Sequence, residues 1–185
     1  MRAVRSGSGS PGNGHAARGM GADKIPQYRV LIYSHDSFGL GHLRRCRTIA
    51  HSLVAHHKKL NVLILSGSPI VGRFSSRSRV DFVRVPGIIK RRNGEYTSLN
   101  LDFHVEETLT LHASIIEHTT RVFRPDLFIV DKEPLGILGD VRNTLAHLRR
   151  QVGTRLVLGH HDIMDDPTAL AAGRPAVGAP GGIVP

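Results

Sequence analysis

The apolar run from Tyr28 to Ser34 passes directly into a turn containing Gly39 and Gly41, and from there into an amphipathic helix. That succession constrains the fold more than any other stretch. A strand that ends in a glycine turn and continues as a helix needs neighbouring strands and a face to cover. It also brings backbone N–H groups and a helix N-terminus to whatever binds beyond the strand's end. Leu43, Cys46, Ile49, Ala50, Leu53 and Val54 recur at the spacing of one helix face. His42 stands at the mouth of the turn. Histidine titrates near pH 6.5 in water, so this residue type is suited to accept a proton there at neutral pH.

The same alternation continues along the chain. Asn61 to Leu65 and Val80 to Val85 read as strands, the second bounded by Pro86-Gly87. Val105, Leu109, His112, Ile116, Thr119 and Phe123 fall on one face of a long helix that stops before Pro125. Leu127 to Val130 is a continuous apolar run, as expected of a strand buried on both faces. A helix near Val141 to Arg150 and a strand at Leu156 to Leu158 follow. Strands alternating with helices imply an α/β, Rossmann-like, mostly parallel sheet with helices on both faces. Ligands of such sheets bind beyond the carboxyl ends of the strands, at the switch point in strand order. His42, Asp131, and the group His160, His161 and Asp162 all follow strands and belong to that edge. In the usual order the first strand and the Asp131 strand are neighbours, which brings Asp131 within reach of His42. A carboxylate on one imidazole nitrogen fixes the tautomer and makes the other more basic. The same residue types also serve plainer purposes, His42 as a helix-capping histidine and Asp131 as a helix N-cap.

Several chemistries lack their residues. Arg44 stands where a dinucleotide fingerprint wants its third glycine, and the second strand ends Leu65-Ser66-Gly67 with no acid for a ribose. No Gly-Lys-Ser/Thr follows the first strand, which argues against a nucleoside triphosphatase. The pairs His56-His57 and His160-His161 are adjacent, so neither presents two imidazoles to one metal, and no metal is expected. The single cysteine, Cys46, falls on the apolar helix face and reads as a small buried hydrophobe. The 185-residue chain is long enough for one well-buried core, here assigned to residues 25–167. Residues 1–24 form a basic arm without the apolar segment of a secretory signal, and 168–185 an Ala/Gly/Pro-rich tail. No run approaches the roughly 20 apolar residues of a membrane span. Cytoplasm is the expected location. A net charge of +10 favours anionic partners, with Arg44, Arg45, Arg47, Lys58 and Lys59 on the first helix. The Ile88 to Gly94 loop sets apolar beside basic residues, a composition suited to an anionic membrane surface or an acceptor phosphate. Aromatics are 5% and no stacking platform appears, so nucleic acid is not an expected partner.

The segment Gly39-Leu-Gly-His42 with Arg44-Arg45 resembles the first loop and helix of GT-B glycosyltransferases and related nucleotide-sugar hydrolases. The likeness extends through Arg124-Pro-Asp-Leu-Phe-Ile-Val-Asp131 and Arg155 to Pro167, an order of motifs similar to a group of predicted bacterial glycosyltransferases. It implies the N-terminal half of a GT-B fold. In that reading His42 takes the proton from an acceptor hydroxyl and Asp131 orients it, while Gly39, Gly41, Arg44 and Arg45 hold the acceptor or its phosphate. The loop departs from the family in having Phe38-Gly-Leu-Gly rather than a run of glycines. The resemblance implies no cofactor, and a leaving diphosphate stabilised by a helix dipole and side chains. It also places the nucleotide-sugar donor chiefly on a C-terminal domain that this chain does not contain. The chain is therefore expected to be truncated, inactive alone and weak in donor binding. A nucleotide-sugar hydrolase and a non-catalytic anion-binding module are the alternatives.

Overall fold

The computed structural model describes residues 27–36, 40–151 and 153–159. Gly39, His160, His161, Asp162, the basic arm assigned to 1–24 and the tail assigned to 168–185 lie outside the described residues. The elements run β1 (Tyr28–Ser34), α1 (Gly41–His56), β2 (Leu60–Ser66), β3 (Val80–Arg84), β4 (Ile88–Lys90), β5 (Tyr96–Ser98), α2 (Val105–Phe123), β6 (Leu127–Asp131), α3 (Arg142–Arg150) and β7 (Arg155–Gly159). Five strands form one parallel sheet in the order β3-β2-β1-β6-β7, and β4 pairs antiparallel with β5. This is the Rossmann-like α/β sheet expected from the alternation of apolar runs.

The pleat of β1 divides the interior. Val30 and Ile32 face α1, packing with Cys46, Ala50, Val54, Val62 and Ile64. Leu31 and Tyr33 face the other way, with Phe128, Val130, Ile116 and Leu148. Each large aliphatic side chain withdrawn from water in these layers stabilises the fold by about 1.5–3 kcal/mol. The end of α1 is closed from outside the helix. Arg79 donates from Nη1 to the carbonyls of His57 (2.7 Å) and Leu60 (3.1 Å), and from Nη2 to that of Val54 (2.6 Å). A guanidinium there answers both the unpaired carbonyls and the negative end of the helix dipole.

Three local expectations need correction. The buried stripe of α2 is Thr108, His112, Ile116 and Thr120, with Leu109, Thr119 and Phe123 only partly covered. Two threonines enter the interior because their hydroxyls are satisfied, Thr108 with Ser98 at 2.6 Å and Thr120 with the Ile116 carbonyl at 2.7 Å. In β6, Phe128 and Val130 are buried but Leu127 and Ile129 are only half-buried, since α1 lies over β1 and β2. The stretch from Ile88 is one side of a hairpin, not a loop, and Ile88 is fully buried. Its first apolar residue is therefore not available to a membrane surface. Among the described residues no helix is long and apolar enough to cross a membrane.

Candidate active site

From β1 the sheet proceeds to β2 on one side and to β6 on the other, so the carboxyl ends of β1 and β6 flank the switch point. Asp131 is the last residue of β6 and is buried. His42 is the second residue of α1, and Arg45 lies one turn further on the same helix face. The three side chains meet. His42 Nδ1 lies 2.5 Å from Asp131 Oδ2, and Arg45 Nη2 donates to Asp131 Oδ1. Burial alone would raise the Asp131 carboxyl, but the hydrogen bonds from His42 and Arg45 outweigh it and hold the group below the ordinary aspartate range. Asp131 is thus a carboxylate at neutral pH and accepts from Nδ1–H. The lone pair of a neutral His42 is then on Nε2, the tautomer of a proton acceptor.

A second carboxyl lies beside this pair. Asp36, just beyond β1, accepts from the Ser34 hydroxyl (3.0 Å) and the Ser66 hydroxyl (2.5 Å), and Ser66 Oγ in turn accepts from the Ser68 N–H (3.1 Å). Burial pushes Asp36 up to about 6 against those two hydroxyls. The ring of His35 stands edge-on to that of His42, with centroids 5.7 Å apart. Burial, then the charges of Lys132 and His42, push His35 down to about 4, so it is neutral at physiological pH. Lys132, immediately after Asp131, has a left-handed backbone with φ 67°.

Gly41 opens α1 and is exposed, as is Arg44. Arg45 is part-buried and reaches inward to Asp131. Neither member of the pair is a helix cap. The N-cap of α1 is Leu40, without a side-chain cap bond, and Asp131 ends a strand. His35, Asp36, Ser66 and Lys132 were not singled out from the sequence. The available signal was position alone, since each is polar and ends or follows an apolar strand at the carboxyl edge. Among the described residues there is no group of three or more His, Cys, Asp or Glu side chains placed to hold a metal ion.

No family model and no curated protein matches the chain. Among solved structures it is similar to a UGT transferase from Siraitia grosvenorii in complex with UDP, at 16% identity and a TM-score of 0.42. That match covers 71% of this chain and 27% of the other. It is also similar to Medicago truncatula UGT71G1 complexed with UDP-glucose, at 15% identity and a TM-score of 0.44, covering 71% of this chain and 29% of the other. The chain spans less than a third of the length of either of these proteins.

Proposed function

We propose that the chain is the acceptor-side part of a glycosyltransferase that passes a sugar from a nucleotide-sugar donor to a hydroxyl acceptor. The observation that carries this reading is the 2.5 Å contact between His42 Nδ1 and the Asp131 carboxylate at the switch point. In the reaction the acceptor oxygen attacks the anomeric carbon while the bond to the diphosphate breaks. The hydroxyl proton passes to His42 Nε2, and the nucleoside diphosphate leaves with the bonding electrons. Asp131 then faces an imidazolium, and its charge stabilises what the transfer creates. Arg45 holds the other carboxylate oxygen and keeps Asp131 from turning away. Gly41 and Arg44 in the first turn of α1, with Gly39 two residues earlier in the sequence, are suited to an anionic group of the acceptor. In this reading a second domain supplies most of the donor contacts.

The test is a fusion of the full chain to a donor-binding domain of a GT-B enzyme, with nucleotide release and glycosylated product both measured. His42→Ala is expected to lower kcat by about 100- to 10,000-fold with the fold intact, the usual scale for losing a general base. An unchanged rate in an active fusion would remove His42 from the chemistry. Nucleotide release that needs no acceptor would identify a hydrolase using the same pair.

A further inference from the structure

The 132–141 segment that follows Asp131 is wound tightly. Lys132, Gly136, Leu138 and Gly139 all have left-handed backbones, with φ of 67°, 72°, 53° and 87°. Such winding persists only where the surroundings fasten it. Here the fastening is Asp140. Its Oδ2 accepts from the Tyr33 hydroxyl at 2.7 Å, and the same hydroxyl oxygen accepts from the Ile137 N–H at 3.2 Å. His112 Nε2 lies 3.6 Å from Asp140 Oδ2. Asp140, Tyr33 and His112 are all buried.

Among the described residues no Lys or Arg forms an ion pair in this cluster, and the groups that favour the Asp140 carboxylate are the Tyr33 hydroxyl and the backbone N–H groups of Val141, Ile137 and Asp140. The cluster is faced by Tyr33 from β1, with Asp36 beyond the end of that strand, and by His112 from α2. Thr144 of α3, one helical turn from Asp140, does not titrate, and Arg142 of α3 is exposed beside Gly139. Asp140 Oδ1, both His112 ring nitrogens and Thr144 Oγ1 are buried without a hydrogen-bond partner. A lone carboxylate in such a place is costly, whereas the neutral acid is tolerated.

We infer that Asp140 is a proton-operated latch: as the neutral acid it clips the 132–141 loop to Tyr33 beside His112, and its ionisation releases the loop into water. Burial pushes Asp140 up to about 7 and His112 down to about 4, which keeps both neutral between those values. Opening the loop returns the Asp140 carboxyl to its ordinary value near 4, so a proton is lost on opening. The opening equilibrium therefore rises about tenfold per pH unit between about 4 and 7 and levels off above, to roughly 1,000-fold in all. Global unfolding differs, because His112 then takes up the proton that Asp140 gives up. The latch acts on the segment that leaves Asp131, and it stands whether or not His42 is catalytic.

Hydrogen exchange of the full chain, followed by NMR from pH 5 to 8 and corrected for intrinsic rates, tests this. Protection of the Ile137 amide is expected to fall about tenfold per unit up to about pH 7 and then to level. In Asp140→Asn the slope should vanish with the loop still protected. A flat wild-type profile, a slope that survives in Asp140→Asn, or a folded Asp140→Asn chain with an unprotected loop would overturn the latch. Should that variant not fold, the wild-type Asp140 carboxyl carbon decides: titration near 7 supports the latch, and titration near 4 overturns it.

Discussion

Asp131 has two donors on its two oxygens, so its removal leaves Arg45 and His42 facing each other without the charge between them. Asp131→Asn is expected to cost about 1–3 kcal/mol at pH 7, since an amide offers one acceptor where two are used. The contribution of a lowered carboxyl is complete above its unfolded value of 3.8 and is lost as pH falls through the folded one. Denaturant midpoints at pH 7 and pH 3 should therefore differ less in Asp131→Asn than in the wild type. An equal acid loss in both would show that Asp131 is not the titrating group. His42 and Asp131 were legible in the sequence because each follows an apolar run at the edge where ligands bind. The inward turn of Arg45 was not, because it depends on how closely α1 lies to β6. Nor was the pairing of Asp36 with Ser66, which joins residues on separate strands.

Arg79 and Gly136 carry the sharpest expectations about elements. Arg79→Ala leaves the carbonyls of Val54, His57 and Leu60 without their shared donor and should destabilise the chain by about 1–3 kcal/mol in urea titrations. Arg79→Lys should recover only part of this, because an ammonium lacks the planar fork. Gly94 and Gly136 are both left-handed, at φ 88° and 72°, but a methyl group at Gly94 meets open space while one at Gly136 collides with the Asp140 carboxyl. Gly94→Ala should cost about 1 kcal/mol, and Gly136→Ala clearly more. Equal costs would mean that the 132–141 loop gives way without its latch. Five sheet strands and three helices could be read from apolar spacing. The stripe of α2 could not be placed correctly, because threonines with satisfied hydroxyls took positions that apolarity alone gave to Leu109 and Phe123. The β4–β5 hairpin was missed because its strands are three residues each, too short for alternation to register.

At the scale of the whole molecule, two acid and imidazole pairs oppose each other in pH. Asp36 and Asp140 are raised to about 6 and 7, so the stability each lends is present at low pH and is lost as pH rises through those values. His35 and His112 are lowered to about 4, so stability on their account increases between about pH 4 and 6.5. The two trends offset. Equilibrium unfolding should therefore be nearly flat from about pH 4.5 to 6.5, although the chain has 12 histidines, and should weaken below 4 as Asp131 protonates. His112→Gln removes one rising contribution and should leave stability falling over that window. A wild-type change of more than about 2 kcal/mol between pH 4.5 and 6.5 would contradict the offset.

The arrangement of the switch point rests on which nitrogen of His42 carries the proton. Long-range ¹H–¹⁵N correlation of the imidazoles in the full chain at pH 8 reads this directly. The Asp131 carboxylate at 2.5 Å requires the Nδ1–H form, with Nε2 the unprotonated nitrogen, and Asp131→Asn should shift the tautomer balance. A His42 ring found with its proton on Nε2, and unaffected by Asp131→Asn, would contradict the pairing and with it the base assigned to this site.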